Sequence, residues 1–251
     1  MPVISSHSSS RVLLLGAICF LLLAGTIVRN PVFRSESGLW AETVKRSSGK
    51  QRTHHNFGCA LAKEGRYEEA LRAFDAALAM KPDGTLLLHY CYLEVGNANY
   101  HLERYDAAVA AWRKALGYAP GNPEILTNIA VVFARQGKYE DALSYARSAL
   151  NAAPPLAETL EVLGDISLAK GDVRAAAAYF VSAVEREPAP VSAYRSAAAA
   201  LEKAGDYDAA SRYLEQYIAR VDDPAQKGDA IRALEGIRKQ AGRSTQKGAT
   251  R

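Results

Sequence analysis

Two kinds of hydrophobic pattern run along this chain. The first is continuous: residues 12–28, VLLLGAICFLLLAGTIV, hold no charge and are bracketed by Arg11 and Arg29. At about 1.5 Å of helix rise per residue, the stretch reaches the lower limit for crossing a hydrocarbon core of roughly 30 Å. The second pattern is interrupted and recurs. Gly65-Arg66-Tyr67, Glu103-Arg104-Tyr105, Gly137-Lys138-Tyr139, Gly171-Asp172-Val173 and Gly205-Asp206-Tyr207 stand 38, 34, 34 and 34 residues apart. The eighth position of each period is small (Gly58, Gly96, Ala130, Gly164, Ala198), as is the twentieth (Ala70, Ala108, Ala142, Ala176, Ala210). Small side chains there let two helices approach closely. The twenty-fourth position, Phe74, Trp112, Ala146, Phe180 and Leu214, is expected to fill the space between successive pairs. Pro82, Pro120, Pro154 and Pro188 close the second helix of a period, since proline cannot donate the backbone hydrogen bond or fit mid-helix. The last period has Asp222 there and Pro224 two residues later.

A 34-residue period with these small positions resembles the tetratricopeptide repeat family, two antiparallel helices per unit. The resemblance implies an all-α, right-handed solenoid of about five helix pairs with a concave groove lined by the first helices. The units are 51–84, 89–122, 123–156, 157–190 and 191–224, with 85–88 inserted ahead of the second and extending its first helix. Stacked repeats bury their core between neighbours, so their ends need polar caps. Residues 225–242 suit a capping helix, with Ile231, Leu234 and Ile237 forming one apolar stripe; 243–251 are polar and basic and are expected to be disordered.

Residues 12–28, after a short 1–11 segment, read as an uncleaved transmembrane signal anchor. Ala24-Gly25-Thr26 is a poor cleavage site. Leu23-Ala24-Gly25-Thr26 resembles a bacterial lipoprotein signal, but Thr26 stands where the acylated cysteine is required. Arg11 on one side is outnumbered by Arg29, Arg34, Lys45 and Arg46 on the other, a bias that would keep the repeats in the cytoplasm. In the basic linker 29–50, Leu39, Trp40 and Val44 fall on one side of a short helix, which packs on the first unit or lies at the membrane interface. The span with Arg29-Asn30, Leu39-Trp40, Val44-Lys45 and Asn56-Phe57-Gly58 resembles a junction in multispanning, repeat-bearing O-mannosyltransferase-like membrane proteins. Their repeats are extracytoplasmic, so this resemblance implies a single-pass protein of the bacterial inner membrane with a periplasmic array, the cytoplasmic array being the alternative. With one span and no catalytic membrane domain, the chain gains no enzymatic expectation from it.

Composition narrows the function classes. A hydrophobic fraction of 49% excludes wholesale disorder, and three cysteines are too few for a disulfide scaffold. The formal charge of +4 resides in the flanks: 29–52 hold six basic and two acidic residues, 236–251 five basic and none acidic, which leaves the repeats net negative. A nucleic-acid binder would carry a basic stripe on its folded surface, so no nucleic-acid partner is expected. Gly49-Lys50 and Gly137-Lys138 lack the upstream glycine of a phosphate loop, Val44 and Val132 standing there, and GxSxG, HExxH and CxxC are missing. His54, His55, His89 and His101 include no i, i+4 pair. The expectation is a protein that is not an enzyme, with no cofactor, metal or small-molecule substrate. Cys59 and Cys91 read as small buried thiols, with a disulfide open to them if the array is exported.

In the family, the second, fifth, ninth, twelfth and thirteenth positions commonly line the groove. Carried onto this chain, that implies Arg52, His55 and Lys63 in the first unit and Tyr90, Asn97, Tyr100 and His101 in the second. Thr127 and Arg135 follow in the third, and Glu158, Glu161 and Asp165 in the fourth. Asn56 and Asn128 share the sixth position, where asparagine can bond a peptide backbone. Such a groove runs from basic and aromatic to acidic, and would take an extended protein segment with its acidic part near Arg52 and Lys63. The expected function is a membrane-tethered interaction scaffold. The alternative is an accessory subunit of an envelope glycosyltransferase or of a pilus or secretion assembly machine.

Overall fold

The computed structural model describes residues 35–80, 85–186 and 188–249, with Ile18 and Phe20, although the side chains of 85, 86 and 244–249 are outside the description. Apart from those two helical residues, the 1–11 and 12–28 segments lie outside the described residues, as do Arg29, Arg34, Pro82 and Arg251. Among the described residues no helix is long and apolar enough to cross a membrane. The same residues form twelve helices and no strand.

The chain divides into two compact units, Met1–Tyr118 and Ala119–Arg251. The first holds α1 (Glu36–Arg46), α2 (Gln51–Lys63), α3 (Tyr67–Leu78), α4 (Thr85–His101) and α5 (Tyr105–Tyr118). The second holds α6 (Pro123–Arg135), α7 (Tyr139–Ala152), α8 (Ala157–Ala169), α9 (Val173–Val184), α10 (Val191–Ala204), α11 (Tyr207–Arg220) and α12 (Pro224–Ala249). The pairs α2/α3, α4/α5, α6/α7, α8/α9 and α10/α11 coincide with the five periods, and 85–88 do lengthen the start of α4.

Each pair turns in the same way. Gly65, Gly137, Gly171 and Gly205 have φ between 73° and 84°, and Glu103 takes the equivalent place at 58°. The amide of the next residue reaches back five positions, as Arg66 N to Leu61 O and Arg104 N to Asn99 O, both 2.9 Å. This closes the first helix with a left-handed residue and satisfies its last carbonyls.

The packing adds to one expectation. Position-twenty-four aromatics do reach the next pair, Phe180 clustering with Ala197 and Ala200 and the Phe74 cluster meeting Val95, and each ring also lies on the position-eight glycine of its own pair. A Cβ built on Gly58 would stand 2.5 Å from the Phe74 ring, one on Gly164 2.6 Å from that of Phe180, and Gly96 is as tightly covered by Trp112. Where position eight is alanine, position twenty-four is not aromatic: Ala130 clusters with Ala146, and Ala198 with Leu214.

Of the two end elements, the C-terminal one differs from expectation. In α12 the buried stripe is Ala230, Leu234 and Ile237, which packs with Tyr194, Leu214 and Tyr217, while Ile231 is 44% exposed. Spacing of four then three keeps that stripe on one side of the helix, which Ile231 at 100° from Ala230 leaves. Helix α12 also continues to Ala249 through residues expected to be a disordered tail. At the other end, the linker helix α1 packs on α2, the first of the two placements expected of it. Ser37 Oγ donates to Glu64 Oε2 at 2.8 Å, and Lys63 Nζ lies 3.0 Å from Glu36. Trp40 and Val44 are half-buried, whereas Leu39 is exposed.

Candidate peptide-binding site

The sequence-predicted site residues separate into those engaged in the protein's own packing and those around open space. In the first unit, most are engaged. Lys63 pairs with Glu36 of α1, so one of the two cations expected to meet a partner's acidic part is already matched. The Asn97 carbonyl accepts the Trp112 indole N–H at 3.1 Å, fixing the ring that covers Gly96. Tyr100 packs near Trp112 and Tyr105 at 6.0 and 5.8 Å between centroids, and His101 stacks on Tyr67 at 4.5 Å. His55 is half-buried against Phe74, 3.3 Å from the Asn56 carbonyl oxygen; its burial lowers its pKa, so it resists taking a charge. Arg52 and Tyr90 are exposed, Tyr90 by 45%. Burial pushes the Cys59 thiol up to about 12 and that of Cys91 to about 11, so both are held as neutral thiols. Both are free.

The second unit supplies the open space. A cavity of about 420 Å³ lies between α6 and α8, with Tyr139 of α7 at its side. Its apolar wall is Val131 and Ala134 from α6 with Val162, Ile166 and Ala169 from α8. Arg135, Glu158, Glu161 and Asp165 provide its polar groups, so four of the predicted residues do converge. Glu158 also lines a neighbouring cavity of about 520 Å³ with Glu124, Thr127 and Asn128.

These groups have different electrostatic states. Burial raises the pKa of Glu161, offset in part by the Ser192 hydroxyl that donates to it at 2.9 Å. The charges of Asp165 and Glu158 raise it further. Burial also raises that of Asp165. Thr127 lines the second cavity but is 2% exposed, with its hydroxyl 2.6 Å from that of Thr159 and donating to Pro123 O at 2.8 Å. It ties α6 to α8 beside that second cavity. Asn128 is half-buried beside it.

Sequence reasoning missed Tyr139, Val162, Ile166 and Ser192. Ser192 was reachable, because it holds the second position of the fifth unit, as Glu158 does of the fourth. Val162 and Ile166 fall at positions six and ten, which the helix phase places beside five and nine. Among the described residues no group of three or more His, Cys, Asp or Glu is arranged to hold a metal ion. The arrangement offers carboxylates over an apolar wall, which suits a cationic side chain with an aliphatic stem.

Comparisons place this fold among known proteins. A family model described as Tetratricopeptide repeat matches residues 93–157 and 162–230, and a second of the same description matches 51–83. No curated protein matches the chain. Among solved structures, the APC/C hetero-tetramer Cut9–Hcn1 is similar with a TM-score of 0.68 at 19% identity, over 84% of this chain. This chain spans only 40% of that one. PilW, titled a widely conserved type IV pilus biogenesis factor, gives 0.62 at 21% identity over 76% of this chain and 86% of its own. YrrB, titled a protein with an unusual peptide-binding site, gives 0.52 at 20% identity over 78% of this chain and 97% of its own. At these identities the likeness is one of fold.

Proposed function

Because the chain belongs to the tetratricopeptide repeat family, generally a family of non-catalytic interaction scaffolds, we propose that it is a membrane-tethered scaffold holding a segment of a partner protein. The observation that carries this reading is the cavity between α6 and α8, with Glu158, Glu161 and Asp165 beside Val131, Val162 and Ile166. A segment bearing lysine or arginine fits it by charge and by stem. YrrB, of the same fold, is a peptide binder by its title. Glu161→Lys places a cation against the incoming one, so capture of the partner by the full chain should fall about tenfold or more. Undiminished capture would remove this cavity from the account.

The pH dependence has a definite sign. The carboxylates attract a cation only when ionised, and burial raises the values at which Glu161 and Asp165 lose their charge. Affinity therefore falls on acidification, starting at higher pH than for freely exposed carboxylates.

The tether rests on the charge-free 12–28 run. Its resemblance to the O-mannosyltransferase-like junction favours a periplasmic array at the bacterial inner membrane; the distribution of Arg29, Arg34, Lys45 and Arg46 favours the cytoplasm. We adopt the periplasmic placement. A C-terminal alkaline phosphatase fusion should then be active in cells, and an inactive fusion would move the array to the cytoplasm. The second reading, an accessory subunit of an envelope glycosyltransferase or a pilus or secretion machine, draws on the similarity to PilW. Co-purification of such a machine from membranes, lost with Glu161→Lys, would favour it.

A further inference from the structure

Helix α12 continues past its ion pair with α11. Among its described side chains Ile237, 2% exposed, is the last buried one, and Arg238 reaches Glu215 of α11 at 2.6 Å. The helix continues to Ala249. Along that run Lys239, Arg243 and Lys247 stand four residues apart, a spacing that Arg251 continues in the sequence. Residues four apart neighbour one another on a helix, so Lys239 and Arg243 share one side of α12, and the spacing repeats at Lys247 in the sequence. No acidic residue follows Glu235, and among the described residues neither Lys239 nor Arg243 makes an ion pair; both are exposed.

This composition opposes the helix it occupies. Like charges at i, i+4 repel, and Gly242 and Gly248 are poor helix formers. The helix dipole favours cations only in the last turn, which accounts for Lys247 but not for Lys239 or Arg243. A negative surface along that side would turn that mutual repulsion into a shared attraction. The run has no aromatic residue to stack on bases and no large apolar residue to insert into a bilayer. What remains is attraction to closely spaced negative headgroups, on a chain that also carries the apolar 12–28 run and a second basic segment at 29–52.

We propose that the end of α12 is an electrostatic docking surface for anionic lipid headgroups, which would hold the repeats against the bilayer. This rests on the membrane-tethered reading. The test uses the full chain in lipid nanodiscs, neutral phosphatidylcholine against discs with about one-third phosphatidylglycerol. Amide hydrogen exchange over 239–249 should slow about tenfold or more in the anionic discs and recover as salt is raised, while α10 and α11 are unchanged. The variant Lys239→Gln/Arg243→Gln/Lys247→Gln should lose the slowing, with affinity for anionic vesicles falling about fivefold per cation removed. Equal exchange in both discs overturns the proposal. So does duplex DNA, added to neutral discs, slowing exchange as much as the anionic discs do. Incorporation into neutral discs reports on the tether alone. Should that fail, the chain mixed with neutral and anionic vesicles still gives the α12 comparison.

Discussion

An added Cβ at Gly164 would stand 2.6 Å from the Phe180 ring, and Phe180 is 1% exposed, so the ring has no room to retreat. Gly164→Ala is therefore expected to cost about 1–3 kcal/mol, as overpacking does in a close-packed interior. The fifth unit pairs Ala198 with Leu214 at the same two positions. In a Phe180→Leu background, Gly164→Ala should accordingly cost less by at least about 0.5 kcal/mol, a coupling that a double-mutant cycle in urea would measure. Additive losses would mean that the two positions do not share one space. A second expectation concerns Glu161. Burial raises its folded-state pKa above the unfolded value of about 4.3, so its stabilising contribution is complete below that value and is lost as pH rises through the folded one. Glu161→Gln keeps an acceptor for Ser192 and removes the charge. Calorimetry should find its melting midpoint raised by about 1–3 °C at pH 7 and unchanged at about pH 3. A lowered midpoint at pH 7 would show the charge to be stabilising.

Among the elements, the turn between paired helices gives the sharpest contrast. Four of five turns place glycine at positive φ, whereas Glu103 holds 58°. A residue with a Cβ in the left-handed region costs roughly 1 kcal/mol. Glu103→Gly should raise stability by up to about 1 kcal/mol, and Gly171→Ala should lower it by a similar amount. Chemical denaturation of the two variants tests this, and changes of the same sign in both would reject it. The recurring Gly at this position was visible in the sequence, where it served only to set the period. Its reason, a left-handed residue closing the first helix, emerges from the backbone bonds Arg66 N to Leu61 O and Asp172 N to Ser167 O.

For the whole molecule, the terminal cap matters most. Tyr194, Leu214 and Tyr217, 7%, 4% and 3% exposed, owe part of their cover to Leu234 and Ile237 of α12. A chain ending before Pro224 would open that cluster, so it should melt lower and bind a hydrophobic dye such as ANS. An unchanged melting curve would show that α12 does not cap the repeats. Five helix pairs, their order, the 85–88 extension and the net negative repeats were all legible in the residues. Each follows from size, charge or a helix-breaking residue at a fixed spacing, properties a linear chain displays. The candidate site was legible only in part. The family positions named Arg135, Glu158, Glu161 and Asp165, which meet at one cavity, but also Lys63, Asn97 and Thr127, which are committed to Glu36, Trp112 and Thr159.

The sequence by itself determined the period, the helices and the residues available at each position, because these depend on spacing along one chain. The tertiary structure alone decided which polar groups find a partner within the fold. Glu36 and Lys63 lie 27 residues apart, and Thr127 and Thr159 lie 32 apart. Whether such a pair meets depends on how helices pack across that separation. The same packing pairs Gly58, Gly96 and Gly164 with Phe74, Trp112 and Phe180, a match of sizes that repetition displays and contact explains.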